Sequence, residues 1–138
     1  MAILTKDEAR ALLQKVLSYS KADECEVNLN GSNNGNVRYA RNAVSTSGGV
    51  SQTNLVVSSA FGKKLGVATI NELDDASLEK VVRRAEELAQ LAPENPEFVS
   101  FLGPQNYPES ITYVPATAAI TPKLRADSVA QSLQVAKE

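Results

Sequence analysis

The sequence predicts an α+β domain, an antiparallel and mainly four-stranded sheet with amphipathic helices packed on one face. Residues 35–70 hold short runs of apolar and β-branched residues, punctuated by Gly and Asn at Gly31–Asn36, Gly48-Gly49 and Gly62. That is the pattern of strands joined by turns that need positive φ. On either side of this stretch apolar residues recur at helical spacing, first around Leu12 and again from Leu78 to Ala92. The composition, 43% hydrophobic and 22% charged over 138 residues, suits one domain with a real core. With no Trp and few aromatics, that core must be built from Val, Leu, Ile and Ala.

Thr5-Lys6-Asp7-Glu8 reads as a capping box, with Leu4 placed to pack on Ala9 as a staple. Ala9, Leu12, Leu13, Val16 and Leu17 share one face of the helix that follows, which ends within Ser18–Asp23. Glu24–Asn30 alternates as a strand with Cys25, Val27 and Leu29 on its dry face. A second strand runs from Val37 to about Ser47. Its apolar phase slips near Ala43-Val44, which predicts a bulge or strong twist there. A third strand follows Gly48-Gly49 and runs to about Ala60. A turn at Phe61–Lys64 returns a fourth through Leu65, Val67 and Thr69, in which Gly66 marks a close backbone approach or a bulge. Leu73-Asp74-Asp75 starts the next helix with an Asp cap, and its stripe is Leu78, Val81, Val82, Ala85, Leu88, Ala89 and Ala92. Its other face carries the pairs Glu79–Arg83 and Arg83–Glu87, read as ordinary solvated charge.

All six prolines fall between Pro93 and Pro122, a composition shift that marks a long connection. Thr121-Pro122 then opens a further helix, with Ala126, Val129, Ala130, Leu133 and Ala136 on one face. The organisation expected is an α–β-meander–α domain over 1–92, a Pro-rich connection over 93–120, and the start of a further helix over 121–138. With no capping Gly before Lys137-Glu138, that helix is expected to run on in a longer protein.

The composition excludes several chemistries. There is no His, hence no imidazole for a triad, a general base or a metal ligand, and no catalytic or metal-ligating residue is assigned. Cys25 has carboxylate neighbours, which blunt a thiolate nucleophile, and it is read as structural. Gly62–Gly66 lacks the spacing of a phosphate loop and opens a strand. A net charge of -2 argues against a nucleic-acid partner. No apolar run reaches the ~20 residues that span a bilayer, so no membrane partner is expected. The acidic N-terminus is unlike a signal peptide, and the expected compartment is the cytoplasm. Arg38 and Arg41 could form a small anion or peptide-carboxylate site, or be solvated sheet-face charges.

Ala22-Asp-Glu-Cys-Glu-Val27, Arg38-Tyr-Ala-Arg-Asn-Ala-Val-Ser-Thr-Ser47, Gly66-Val-Ala-Thr69, Leu78–Ala92 leading into Pro93, and Thr121-Pro-Lys-Leu-Arg-Ala126 together resemble the N-terminal domain of the TldD/PmbA family. Its members have been named modulators of DNA gyrase and zinc metallopeptidases. The resemblance implies a cytoplasmic protein acting on unfolded or linear peptides as a homo- or heterodimer. In the TldD branch zinc is held beyond this domain by a His-Glu-x-x-x-His helix and a later cysteine; the PmbA branch lacks that motif and serves as partner. None of those ligands carries over, no cofactor is expected in this segment, and the choice of branch stays open. The expected role is non-catalytic: shaping the substrate chamber or the dimer interface. A wet sheet face with Arg38, Asn42, Gln52 and Asn54 is expected to stay free. On it, Arg41 and Asn42 are the candidates for lining the peptide path or the dimer seam. The alternatives are a stand-alone protein-binding module and a gyrase-modulating regulator without peptidase activity.

Overall fold

Helix α1 (Lys6–Tyr19) begins where its sequence dictates. In this computed structural model, which describes residues 3–136, the Thr5 hydroxyl accepts from the Glu8 amide and the Glu8 carboxylate accepts from the Thr5 amide at 2.8 Å. Both halves of the capping box are therefore made. Val16 is fully buried, with Leu12 and Leu13 packed on the core beside it, whereas Leu17 is 43% exposed and lies off the expected face. Met1, Ala2, Lys137 and Glu138 lie outside the described residues, and with them the end of the chain where a continuing helix was expected.

The sheet has three strands where four were expected: β1 (Glu24–Ala40), β2 (Ala43–Phe61) and β3 (Lys64–Ile70), antiparallel in the order β1-β2-β3. The difference lies in which residues turn. The clusters Gly31–Asn36 and Gly48-Gly49 run straight through β1 and β2. The chain reverses instead at Arg41-Asn42, with φ of 53° and 59°. Two consecutive positive φ values match the twist of a two-residue hairpin, and Asn is among the few non-glycine residues that adopt them at low cost. The phase slip at Ala43-Val44, expected as a bulge, is this reversal. The turn from β2 to β3 uses Gly62, at φ 57°, whose amide donates to Asp23 Oδ2 at 2.9 Å.

The chain forms two units. The first comprises the residues up to Ser32 together with Gln52–Gln105. The β2–β3 register Leu55↔Ile70, Val57↔Ala68, Ser59↔Gly66 puts these residues on one face. Leu55 and Val57 meet Val16 of α1 and Leu78, Val81, Val82 and Ala85 of α2 (Asp75–Leu91) there, with Cys25, Val27, Leu29, Ala68 and Ile70 packed against the cluster. Cys25 thus takes the dry-face place predicted for it. Asp74 caps α2, its side chain accepting from the Ser77 amide at 3.1 Å. Gly66 is a close approach: a Cβ there would strike Ala85 O and Ala89 N and come within 2.8 Å of the Leu88 carbonyl carbon. Its bare backbone lets α2 lie directly on β3.

The other charged face of α2 is not simply solvated. Glu86 is buried, at 6% exposure. It accepts from the Lys21 amide and pairs with Arg83, which also donates to the Tyr19 carbonyl at the end of α1. The expected Glu79–Arg83 contact is present at the limit of 4.0 Å; Arg84, rather than Arg83, pairs with Glu87. A short stretch after α2 is tied down by Asn95 N–H donating to Lys63 O at 3.0 Å, and by Phe101 N–H donating to Glu24 at 2.7 Å.

The second unit comprises Asn33–Ser51 and the residues from Asn106 on. It holds the distal halves of β1 and β2, the single turn α3 (Pro115–Ala118) and α4 (Pro122–Val135). Thr121 caps α4 as expected, accepting from the Leu124 amide at 3.1 Å, with Pro122 following it. The buried face of α4 differs from the one expected. Val129 is buried and Leu133 half-buried, but Ala126, Ala130 and Ala136 are exposed, and Arg125 takes the inner position. Arg125 and Leu133 stand four residues either side of Val129, so the stripe follows the i, i+4 ridge through the larger side chains.

Candidate functional site

β3 pairs with β2 only from Leu55 to Phe61. Beyond that, β1 and β2 continue as a two-stranded ribbon closed by the turn at Arg41-Asn42. Every residue from Arg38 to Gln52 is exposed, including large apolar ones: Tyr39, Val44 and Val50 are each about half open to solvent or more. Cross-strand side-chain ties hold the ribbon, Ser45 Oγ donating to Arg38 O at 3.2 Å and Ser47 Oγ to Asn36 O at 3.4 Å. A bare two-stranded ribbon is marginal in water, so an open one of this length invites a covering surface.

The sequence-predicted residues are placed differently from the expectation that motivated them. Arg41 and Asn42 are not side chains on a wet sheet face; they are the two central residues of the hairpin turn, both exposed. Of the other residues expected on that free face, Arg38 and Gln52 are exposed and Asn54 is half-buried. Arg38 and Arg41 form no ion pair among the described residues. Among the described residues, no three His, Cys, Asp or Glu side chains converge on a point that could hold a metal ion, and no helix is long and apolar enough to cross a membrane.

Sequence reasoning missed two features. One is the Arg83–Glu86 clasp, whose signal was present: Glu86 follows Val82 by four residues, on the buried stripe itself. The other is Arg125, whose guanidinium lies over Gly35 of β1, so close that a Cβ at Gly35 would meet its Cζ at 2.6 Å. Gly35 was read as turn punctuation; its service is to give an arginine room.

The class these features define is an α+β domain with a helix-backed three-stranded antiparallel sheet and a long first hairpin. Residues 25–89 match the family model described as PmbA/TldA metallopeptidase domain 1. That match is to the first domain of the TldD/PmbA family, the family its sequence resembles. Three solved structures share the fold. TldE from Thermococcus kodakarensis is 17% identical with a TM-score of 0.81, covering 94% of this chain and 29% of that one. A candidate modulator of a DNA gyrase from Thermotoga maritima is 19% identical with a TM-score of 0.68, covering 90% and 28%. A candidate modulator of DNA gyrase from Bacteroides thetaiotaomicron is 15% identical with a TM-score of 0.70, covering 91% and 30%. The chain therefore spans under a third of the length of these structures. Among curated proteins none matches it.

Proposed function

We propose that this chain is the N-terminal, non-catalytic part of a TldD/PmbA-type metallopeptidase system acting on unfolded or linear peptides in the cytoplasm. In this reading the distal hairpin lines the substrate chamber or the seam between subunits of a homo- or heterodimer, and any zinc belongs to residues beyond this domain. The observation that carries the proposal is the uninterrupted exposure of the ribbon from Arg38 to Gln52, with Tyr39, Val44 and Val50 open on it. An uncovered two-stranded ribbon is marginal in water by itself, which supports a covering partner surface in the full-length protein. An open strand edge can also receive an extended chain by backbone pairing, which asks little of the side chains of an unfolded substrate.

The test must respect the turn. Arg41 and Asn42 sit at positive φ, where Ala is strained and Gly is not. Arg41→Gly with Asn42→Gly in the full-length protein therefore deletes both side chains while sparing the backbone. Loss of turnover of a linear fluorogenic peptide in a dimer of unchanged mass places the tip on the substrate path. Loss of the dimer places it at the seam, and wild-type values for both sink the proposal. The second reading is a regulator that contacts gyrase, favoured by the names of two of the similar structures. A His-Glu-x-x-x-His segment in the reading frame downstream favours the peptidase; its absence favours the partner branch or a binding protein.

A further inference from the structure

Arg125 is the one charged side chain of the second unit, among the described residues, that is drawn partly out of solvent, and little of its hydrogen-bonding capacity is used. A guanidinium offers five N–H donors in a planar fork. Among the described residues Arg125 has one acceptor, the Ile120 carbonyl, at 3.4 Å from Nη1. Among those residues its Nε, shielded from water, has no acceptor and no carboxylate pairs with the group. The group lies against Gly35, where a Cβ would come within 2.9 Å of its Nη1 and closer still to Cζ and Nη2. Beside it lies a shallow, open groove of about 300 Å³ lined by Val37, Ile120, Leu124, Ser128 and Val129 with Arg125 itself. The one hydroxyl in the lining, Ser128 Oγ, already donates to Leu124 O at 2.9 Å. The unit is also the electropositive part of an acidic chain: it contains five basic and three acidic residues, against nine and thirteen in the rest.

We propose that this pocket binds a carboxylate carried on a small apolar body, with Arg125 holding the carboxylate and Val37, Leu124 and Val129 receiving the apolar part. The guanidinium fork matches a planar carboxylate through two parallel N–H···O bonds. A phosphate would present further oxygens to walls that offer them no donors. The volume, at the lower end of ligand pockets, suits a small molecule that joins a carboxylate to a short apolar body. Two sources share this chemistry: the C-terminal residue of a linear peptide and a free short-chain acid. The inference stands on the geometry of this unit and does not depend on the peptidase reading.

The experiment is calorimetric titration of the chain with N-acetyl-leucine, N-acetyl-leucinamide and 4-methylpentanoate. The carboxylates should bind about tenfold tighter than the amide or better, as expected of a charge-assisted bidentate pair. Arg125→Lys keeps the charge and loses the fork, and should erase that preference. Gly35→Ala should weaken that preference too, by displacing the flexible end of the Arg125 side chain. Binding of N-acetyl-leucine well ahead of 4-methylpentanoate assigns the site to a peptide end, and equal binding assigns it to free acids. Should either variant fold poorly, the wild-type Arg125 Nε resonance decides: it must shift with the acid and stay still with the amide. Equal affinity for acid and amide, no binding at millimolar concentration, or an unmoved Nε resonance overturns the proposal.

Discussion

The same two strands run through both units and have different fates in each. Near their open ends β1 and β2 contribute Val27, Leu29, Leu55 and Val57 to a core closed by α1 and α2, in which Leu55 and Val57 have no exposure at all. Near the turn, residues of equally high β propensity, Tyr39, Val44 and Val50, stand open. Strand propensity is therefore not what separates the two; the cover is. In the first unit two helices with continuous apolar stripes provide it. In the second, α4 buries Val129 and little else. The first unit has the construction of a stable core, and the second that of a surface with room for another molecule.

The sharpest way to break this contrast is at its glycines. Gly66→Ala puts a methyl into the backbone of α2 at Ala85 and Ala89, atoms that can give way only if the helix lifts off β3. The expected loss is about 3 kcal/mol, at the upper end for overpacking, read as a fall in the urea midpoint. Gly49→Ala in the distal ribbon meets only Asn34 O, at 3.7 Å, ordinary contact, and should shift the midpoint hardly at all. A small effect at Gly66 would mean that α2 is not held on the sheet there.

Next in size is Val81→Ala, which deletes two methyls from the core and should cost about 1–3 kcal/mol. Val50→Ala in the ribbon should stay within about 0.5 kcal/mol, as surface changes do. Arg83→Ala should cost about 1–3 kcal/mol, because it strands the buried Glu86 carboxylate and the Tyr19 carbonyl without that donor. Arg84→Ala breaks only the exposed pair with Glu87, worth at most about 0.5 kcal/mol. If Arg83 and Arg84 prove equal, the clasp is no more than a second surface pair.

These contrasts also show what was legible in the sequence. The capping box of α1, the helical stripe of α2 and the alternation around Cys25 are local rules, and each is satisfied where the sequence wrote it. The close approach at Gly66 was legible as well, because a glycine inside a strand has few other reasons to be there. The strand count was not. Glycine and asparagine favour turns by removing a steric obstacle, but they do not compel a turn, and Gly31–Asn36 pairs across the ribbon instead. The true reversal needed Asn42 and a tolerant Arg41 at positive φ, a choice settled by strand register rather than by local preference. Arg41 and Asn42 were therefore singled out on an expected sheet face and stand at a tip. Arg125 was illegible for a related reason: only the fold brings it to Gly35, ninety residues earlier in the chain.

The smallest contrast lies between two threonine caps. In α1 the Thr5 cap faces a carboxylate at its third helical position; in α4 the Thr121 cap faces Leu124, which has nothing to titrate. Hydrogen bonds from the Thr5 amide and then its hydroxyl hold the Glu8 carboxyl below its usual value, and those from Ser77 lower Asp74 at the start of α2 in the same way. A carboxyl lowered by folding contributes stability that is present above its unfolded pKa and is lost as pH falls through its folded one. Acid, from about pH 5 downward, should thus loosen the first turns of α1 and α2 and leave that of α4 unchanged. Glu8→Gln keeps an oxygen that can accept from the Thr5 amide but removes the titration. Amide hydrogen exchange followed across this range should show the protection of the α1 first turn declining in the wild type and holding flat in Glu8→Gln, with the Leu124 amide flat in both. A parallel decline in the two proteins would mean that protonation of Glu8 is not what weakens this cap.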